Sequence, residues 1–281
     1  MLKGLEHMIN FSYFRNFGNL ILVKNICSPI RNTYEADTPS QVVWEEWMED
    51  SADPNQHIGL VARDKQIEGW FGFDMLKPNS LLCDCMGVIL PKMIISADTS
   101  ILEVIPLFTD KTKIFYLVLQ GTSFIGVLDF RDIFKLPFRL ALFALILQIE
   151  KLMLDIILTA PNFSVSLLSQ GKVEKAKDVY HRRGYSYDNN GQPYASTLLE
   201  CTTLIHKFNI LKKCRKTRLL IPELQSNFTE VAERMRNELA HPSTNNDEIL
   251  SRDILVPFVN WAEQFQQSMQ RFLESNERMD K

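Results

Sequence analysis

The spacing of apolar residues divides the chain into a first part with strand patterns and a second part with helix patterns. In the first part, short apolar runs come in pairs joined by polar turns, which predicts two β-hairpins, 57–62 with 67–73 and 113–119 with 124–128. From Pro137 onward the strand signals stop. Helical periodicity follows at about 138–158, 164–180, 194–214, 222–240 and 248–277. The pattern therefore predicts two domains that meet at Pro137.

The first part contains an internal repeat. The segment Ala-Asp-Thr-Pro-Ser at 36–40 is echoed by Ala-Asp-Thr-Ser at 97–100, and each opens an apolar-periodic stretch. A threonine at this place accepts hydrogen bonds from the free amides of a helix start. In the hairpin that follows, the second copy matches the first at two positions, Val61 with Val118 and Gly69 with Gly126. Each copy is predicted to read strand, helix, strand, strand, helix.

Composition limits the classes of function. The chain has 281 residues, which is room for two ordinary domains with their own cores. Hydrophobic residues make up 46%, charged residues 23%, and the net charge is −3. These values are typical of a globular protein and exclude a polybasic tail. Any nucleic-acid site must then be a local patch.

The cysteine pattern and the apolar segments indicate the compartment. Five cysteines without paired Cys-x-x-Cys units predict reduced thiols and no zinc site. The N-terminal segment 1–22 is predicted to be helical and lacks the pattern of a signal peptide. The most apolar run, 140–148, is about half the length that spans a bilayer, so a buried helix explains it better. We expect a cytoplasmic protein without membrane contact.

The repeated order of elements, with an acidic-Thr helix start and a glycine after the hairpin, resembles the CBS domain. CBS repeats pair into a module with clefts for adenosine-containing ligands. The resemblance covers 23–136, as repeats at about 23–77 and 84–135, and the segment 126–132 resembles the family's ligand segment. It implies that Gly126 lets a backbone approach and that Asp132 binds ribose hydroxyls. Asp129 stands where the family usually has Thr or Ser, and Met75 replaces the aspartate in the first copy, whose cleft is expected to be degenerate.

Simpler roles for the same residues stay open. Asp132 is also explained as a carboxylate favoured by the dipole at a helix N-terminus. Gly126 is also explained as a glycine that permits close packing. The predicted ligand of this site is an adenine nucleotide or a related molecule that regulates the protein.

The end of the fourth predicted helix of the second part carries candidate catalytic residues. Pro242 prevents another regular turn after His241, so His241 is expected at the helix end. Its imidazole titrates near neutrality, as a general acid or base requires. Arg236 supplies a forked donor pair for phosphate oxygens, and Asn237 is placed to orient the substrate or the histidine.

The string Arg-Asn-x-x-x-His in a C-terminal helical bundle resembles the HEPN superfamily, of which many members are ribonucleases. The resemblance implies a homodimer or larger oligomer that cuts RNA without a metal or other cofactor and leaves a 2′,3′-cyclic phosphate. His241 would then move protons and Arg236 would stabilise the phosphate. The fold class expected is α+β, a CBS pair followed by an all-α HEPN-type bundle over 137–281.

Two functions follow from these resemblances. One is a metal-independent endoribonuclease controlled by ligand binding to the CBS pair, as in toxins and defence effectors. The alternative is a non-catalytic dimeric regulator that senses adenine nucleotides and docks a partner protein through its helical domain. Nuclease activity that depends on Arg236 and His241 would distinguish them.

A run of basic residues precedes the motif helix. It contains no acidic residue and is suited to guiding an RNA backbone by neutralising phosphates. A solvated helix end, where the dipole favours cations, is the alternative. The residues are Lys207, Lys212, Lys213, Arg215, Lys216 and Arg218.

Overall fold

A computed structural model describes residues 21–30, 32–50, 58–109, 115–159, 164–240 and 251–277, without the side chains of residues 50, 276 and 277. The predicted helical segment 1–22 lies outside these ranges except for its last two residues. The contacts of the chain define two compact units, one of Ile21–Val104 with Asp110–Phe138 and one that includes Ile105–Thr109 and Arg139–Lys281. Each unit is described separately below.

The first unit is built from two four-stranded sheets. The strands are β1 (Ser28–Pro29), β2 (Thr33–Glu35), β3 (Ile58–Arg63), β4 (Gln66–Gly72), β5 (Gly87–Val88), β6 (Ile94–Ser96), β7 (Phe115–Gln120) and β8 (Ser123–Asp129). One sheet has the order β2-β3-β4-β5 and the other β6-β7-β8-β1. In each sheet a short parallel strand flanks the predicted antiparallel hairpin.

The two sheets exchange strands between the repeats. Strand β1, at the start of the first repeat, pairs with β8 of the second, and β5, at the start of the second repeat, pairs with β4 of the first. The registers correspond, since Pro29 lies opposite Gly126 and Val88 lies opposite Gly69. Both hairpins also carry a bulge at the same place, after Val61 and after Val118. The sequence repeat is therefore a structural repeat.

The matched glycines are required by the exchanged strands. A Cβ atom on Gly126 would lie 2.7 Å from both Sγ of Cys27 and the carbonyl oxygen of Ser28. A Cβ atom on Gly69 would lie 2.8 Å from the carbonyl oxygen of Gly87. These separations are too short for carbon, so only glycine lets the neighbouring backbone pass.

Helices and aromatic residues complete the first unit. Helix α1 (Ser40–Asp50) buries Trp47, whose ring stacks on Phe71 of β4 at 5.1 Å. The short helix α2 (Leu82–Cys85) precedes β5, and the short helix α3 (Ile101–Val104) follows β6 as α1 follows β2. Trp70 of the first repeat meets Phe115 of the second edge to face at 4.7 Å. Apolar side chains of both repeats thus share one core.

The second unit is helical. Its helices are α4 (Leu136–Thr159), α5 (Gln170–Arg182), α6 (Ala195–Glu200), α7 (Leu204–Lys213), α8 (Arg215–Leu220), α9 (Phe228–Ala240) and α10 (Arg252–Glu277). The fold class, a strand-rich α+β part followed by a helical part, is confirmed. The apolar run 140–148 lies within α4, and none of the described helices is long and apolar enough to cross a membrane.

Several predicted helix boundaries were wrong. The stretch 194–214 is broken after Glu200 because the hydroxyl of Thr203 caps a new helix by accepting from the amide of His206 at 3.4 Å. The closing helix of each repeat is only a 3₁₀ turn, at Phe73–Met75 and Phe130–Phe134. Each turn is followed by a residue with extended backbone, Leu76 in the first repeat and Lys135 in the second.

Replacing Gly126 by alanine should destabilise the strand-exchanged unit. Because the added Cβ has no room beside Cys27 and Ser28, we expect a loss of about 2 kcal/mol in the free energy of unfolding, measured by urea denaturation. The matched control is Gly171→Ala in the first turn of α5, where a Cβ meets nothing within 4 Å. That change should be neutral or stabilise by about 0.5 kcal/mol. Equal effects of both substitutions would contradict the close-packing role.

Candidate functional sites

Asp132 lies in a polar cluster next to exchanged strand β1. Its side chain is buried, and its Oδ2 accepts a hydrogen bond from the amide of Asp129 at 2.8 Å, which caps the 3₁₀ turn Phe130–Phe134. Its Oδ1 accepts from the hydroxyl of Ser28 at 3.0 Å. The carboxylate therefore has the helix-start role and also holds the exchanged strand.

Lys135 supplies the counter-charge in this cluster. Its Nζ lies 2.6 Å from Oδ1 of Asp132 and donates to the carbonyl oxygen of Ile26 at 2.5 Å and to Oγ of Ser28 at 3.1 Å. Because the lysine closes the cluster from one side, the carboxylate is satisfied within the chain.

The other two residues of the predicted ligand segment have structural partners. Asp129 accepts from the amide of Arg131 at 2.6 Å and forms an ion pair with the same residue's guanidinium group. The structure therefore brings Asp129 and Asp132 together at one turn, while Gly126 serves the close passage of β1.

The equivalent place in the first repeat has different chemistry. Met75 occupies the position of Asp132, and its Sδ lies 3.4 Å from the amide of Gly72, the counterpart of Asp129. Gly87 stands opposite Trp70, at the place that Ser28 of β1 takes opposite Val127 in the other sheet. The first copy thus keeps the 3₁₀ turn but has a methionine at the position of the buried aspartate.

In the helical unit, Arg236 and Asn237 lie near the end of α9. Asn237 is exposed, and Arg236 is half-buried. His241 lies outside the described residues, immediately after the last residue of α9, Ala240. The structure therefore places the arginine and the asparagine at the predicted helix end and leaves the position of the histidine undescribed.

Arg236 forms an ion pair with a partly buried acidic residue, Glu150 of α4, whose side chain is 15% exposed. The guanidinium Nε lies 3.1 Å from Oε2 of Glu150, an ion-pair distance without the alignment of a hydrogen bond. The second carboxylate oxygen, Oε1, accepts from Nζ of Lys207 at 2.9 Å. Lys207 is almost fully buried and also donates to the carbonyl oxygen of Thr202 at 2.7 Å. One carboxylate thus connects α4, α7 and α9.

Two more ionisable groups border this cluster. Burial raises the pKa of Glu233 above its usual 4.5, although the amide of Ile205 donates to its carboxylate at 3.2 Å and Arg236 lies near. Burial, together with the positive charges of Lys172, Lys207 and Lys175, lowers the pKa of His206 below 6.5. The interior of this unit therefore favours the uncharged forms of both groups.

Glu150 was not predicted as part of a site, although the sequence contains a signal for it. It is an acidic residue within an otherwise apolar stretch of α4, and such a position needs a buried partner. It was wrong to group Lys207 with the basic run, because its side chain is buried and its ammonium group pairs with Glu150.

The remaining basic residues separate into two sets. Lys212, Arg215 and Arg218 line a groove of about 550 Å³ together with Leu219, Leu224 and Gln225. Lys213 instead donates to the carbonyl oxygen of Leu167, and Nζ of Lys216 lies 5.6 Å from the ring centre of Phe272. Of the five basic residues that remain without Lys207, the structure therefore brings three to one surface.

The part of the chain that the structure describes holds free thiols and no cluster of metal-ligating side chains. No group of three or more His, Cys, Asp or Glu side chains there is arranged to hold a metal ion. All five cysteines are free thiols.

No protein-family model matches the chain, and no curated protein matches its sequence. Among solved structures, a CBS-domain-containing protein from Thermotoga maritima is 20% identical over 40% of this chain and 91% of its own, with a TM-score of 0.32. The CBS domains of a transcriptional regulator from Streptococcus pneumoniae are 16% identical over 40% of this chain and 96% of their own, with a TM-score of 0.33. The CBS domain of a bacterial CNNM/CorC family Mg²⁺ transporter, solved in complex with ATP, is 9% identical over 44% and 92%, with a TM-score of 0.34.

Removal of the Lys207 side chain should lower the free energy of unfolding of the helical unit. Lys207→Ala leaves the carboxylate of Glu150 with Arg236 alone, so we expect a loss of about 3 kcal/mol in the free energy of unfolding by urea. The control is Lys177→Ala, which removes an exposed ion pair with Glu174 and should cost less than about 1 kcal/mol. A cost for Lys207 as small as that for Lys177 would show that the buried pair adds nothing.

The stability of the helical unit should fall as the pH falls below about 6.5. Unfolded chains protonate His206 near 6.5, whereas the folded chain does so only at lower pH, so acid favours the unfolded state in this window. Glu233 has the opposite effect at lower pH. Just above pH 4.5 the folded chain binds the carboxyl proton more readily than the unfolded chain, so protonation of Glu233 favours the folded state there. His206→Gln should flatten the dependence between pH 7 and 6, measured as urea midpoints. An unchanged slope would rule out the histidine as its source.

Proposed function

We propose that this protein is a metal-independent endoribonuclease whose site lies at the C-terminal end of α9, around Arg236. The observation that carries the proposal is the grip of Glu150 on the Nε edge of the Arg236 guanidinium. An ion pair on the Nε side keeps the guanidinium beside α4, while its two terminal amino groups are the forked donors suited to a phosphate. The resemblance of Arg236, Asn237 and His241 to the HEPN motif supports the same function.

The chemistry needs only groups of the chain and of the RNA. The ribose 2′-hydroxyl attacks the adjacent phosphorus, the new O–P bond forms, and the bond from phosphorus to the 5′-oxygen breaks. In this proposal His241 takes the hydroxyl proton or returns a proton to the departing oxygen, and Arg236 stabilises the negative charge of the crowded phosphate. Asn237, exposed one residue later, orients the RNA or the imidazole. The products are a 2′,3′-cyclic phosphate and a 5′-hydroxyl.

We propose further that ligand binding at the CBS-like unit regulates this activity. The Ser28–Asp132–Lys135 cluster supports an adenosine-containing ligand, because a ribose hydroxyl has the hydrogen-bonding chemistry of the Ser28 hydroxyl that Asp132 now accepts. The same cluster favours the second candidate function, a nucleotide-sensing regulator without catalysis that docks a partner protein. Both functions are expected of a homodimer, as the HEPN resemblance implies.

Cleavage of RNA in EDTA tests the ribonuclease. Arg236→Ala should lower kcat by about 10²- to 10³-fold because a donor to the transition state is lost. His241→Ala should lower it by about 10²- to 10⁴-fold. The control is Arg234→Ala, which removes an arginine of the same helix that pairs with Glu238 and is 60% exposed. This variant should cleave like wild type.

Two further measurements separate folding, regulation and chemistry. Arg236→Lys keeps a charge for Glu150 but not the fork, so a folded variant with lost activity supports the phosphate role. Adenine nucleotides should change the wild-type rate, and Asp132→Asn should abolish that response. Equal cleavage by all variants would remove the assigned site. No cleavage under any condition, with nucleotide binding retained, would establish the regulator instead.

A further inference from the structure

We infer that the groove lined by Lys212, Arg215 and Arg218 binds the backbone of single-stranded RNA at a distance from the cleavage site. This inference rests on the proposed ribonuclease. It assigns the groove one task, the binding of strand segments that extend beyond the phosphate to be cut. The groove-lining set is distinct from Arg236 and Asn237 in both sequence and place.

The charge of the groove selects an anion. Three cationic residues line it, and its other described lining residues, Leu219, Leu224 and Gln225, carry no charge. The whole chain has a net charge of −3, so this concentration of positive charge is local. Like charges held together repel one another unless an anion lies between them. A phosphate backbone supplies such anions at regular intervals.

The position of the groove relative to Arg236 follows from helix pairing. Lys212 in the last turn of α7 donates to the hydroxyl of Thr229 in the first turn of α9 at 3.2 Å. Near the other end of the pair, Ile205 of α7 donates to Glu233 of α9. The helices therefore run antiparallel. Arg236 follows Thr229 by seven residues, which is about 10 Å along the helix axis.

The separation and the lining favour a single strand. A strand that reaches both places must extend along α9, so a very short fragment engages one and misses the other. Leu219 lines the groove and is 71% exposed, which offers an apolar surface to an unstacked base. The bases of a duplex are stacked inside it, so they do not contact Leu219.

The test compares two pairs of substitutions with the same change in charge. The double variant Lys212→Gln with Arg215→Gln removes two positive charges from the groove. The double variant Lys213→Gln with Lys216→Gln removes two neighbouring charges outside it. The probe is a fluorescent, fully 2′-O-methylated RNA single strand, which cannot be cut through the 2′-hydroxyl. Binding is measured by anisotropy over a salt series, after far-UV circular dichroism has shown that each variant is folded.

The groove pair should weaken binding on the order of tenfold and reduce the slope of log affinity against log salt by about 1.4, because each phosphate contact on a single strand contributes about 0.7. The outside pair should leave both quantities near wild type. Equal effects of the two pairs would overturn the inference, as would equally tight binding of an RNA duplex. Binding of anionic lipid vesicles in place of RNA would overturn it too.

The same proteins keep this inference separate from the ribonuclease proposal. Unmethylated long and very short RNAs are cut in parallel, and the groove pair should raise KM for the long strand without lowering kcat. If the groove pair binds RNA like wild type and cleavage is normal, the groove inference is overturned and the ribonuclease proposal stands. If binding depends on the groove but no RNA is cut, the ribonuclease proposal is overturned and the groove inference stands.

Discussion

Three helices of the second unit are connected through one partly buried carboxylate, that of Glu150. Glu150 lies on the long apolar helix α4, and its two oxygens connect Lys207 of α7 with Arg236 of α9. Removing a carboxylate from water costs several kcal/mol, which only close positive partners offset. The buried ammonium group of Lys207 therefore requires the carboxylate. The guanidinium of Arg236, which is 31% exposed, adds a second positive partner from another helix.

This arrangement gives Arg236 a structural role and also bears on its proposed chemical role. A surface arginine loses side-chain entropy whenever it meets a phosphate, whereas a guanidinium already restrained by Glu150 has lost much of it on folding. Asn237, one residue later, has no such restraint and is exposed. The two neighbours are therefore suited to different tasks, one fixed and one adaptable.

Sequence patterns were sufficient for the hairpins and the repeat, because alternation of side chains and the matched glycines are local features. The exchanged strands β1 and β5 could not be predicted, since two residues carry no periodicity and their partners lie in the other repeat. The position of Arg236 near a helix end was predictable from Pro242. Its pairing with Glu150 was not, because 86 residues separate them and only tertiary packing brings them together. The same packing withdrew Lys207 from the basic run.

Strand exchange also has a consequence for biosynthesis. Strand β1 must wait for β8, which leaves the ribosome about a hundred residues later, and β4 must wait for β5. The sheet β2-β3-β4-β5 is complete once β5, at the start of the second repeat, has been translated, whereas the sheet β6-β7-β8-β1 lacks its hairpin until the end of that repeat. Contacts this far apart in sequence slow folding and expose unpaired strand edges in the meantime. The nascent chain thus passes through a long interval in which chaperone binding competes with completion of the fold.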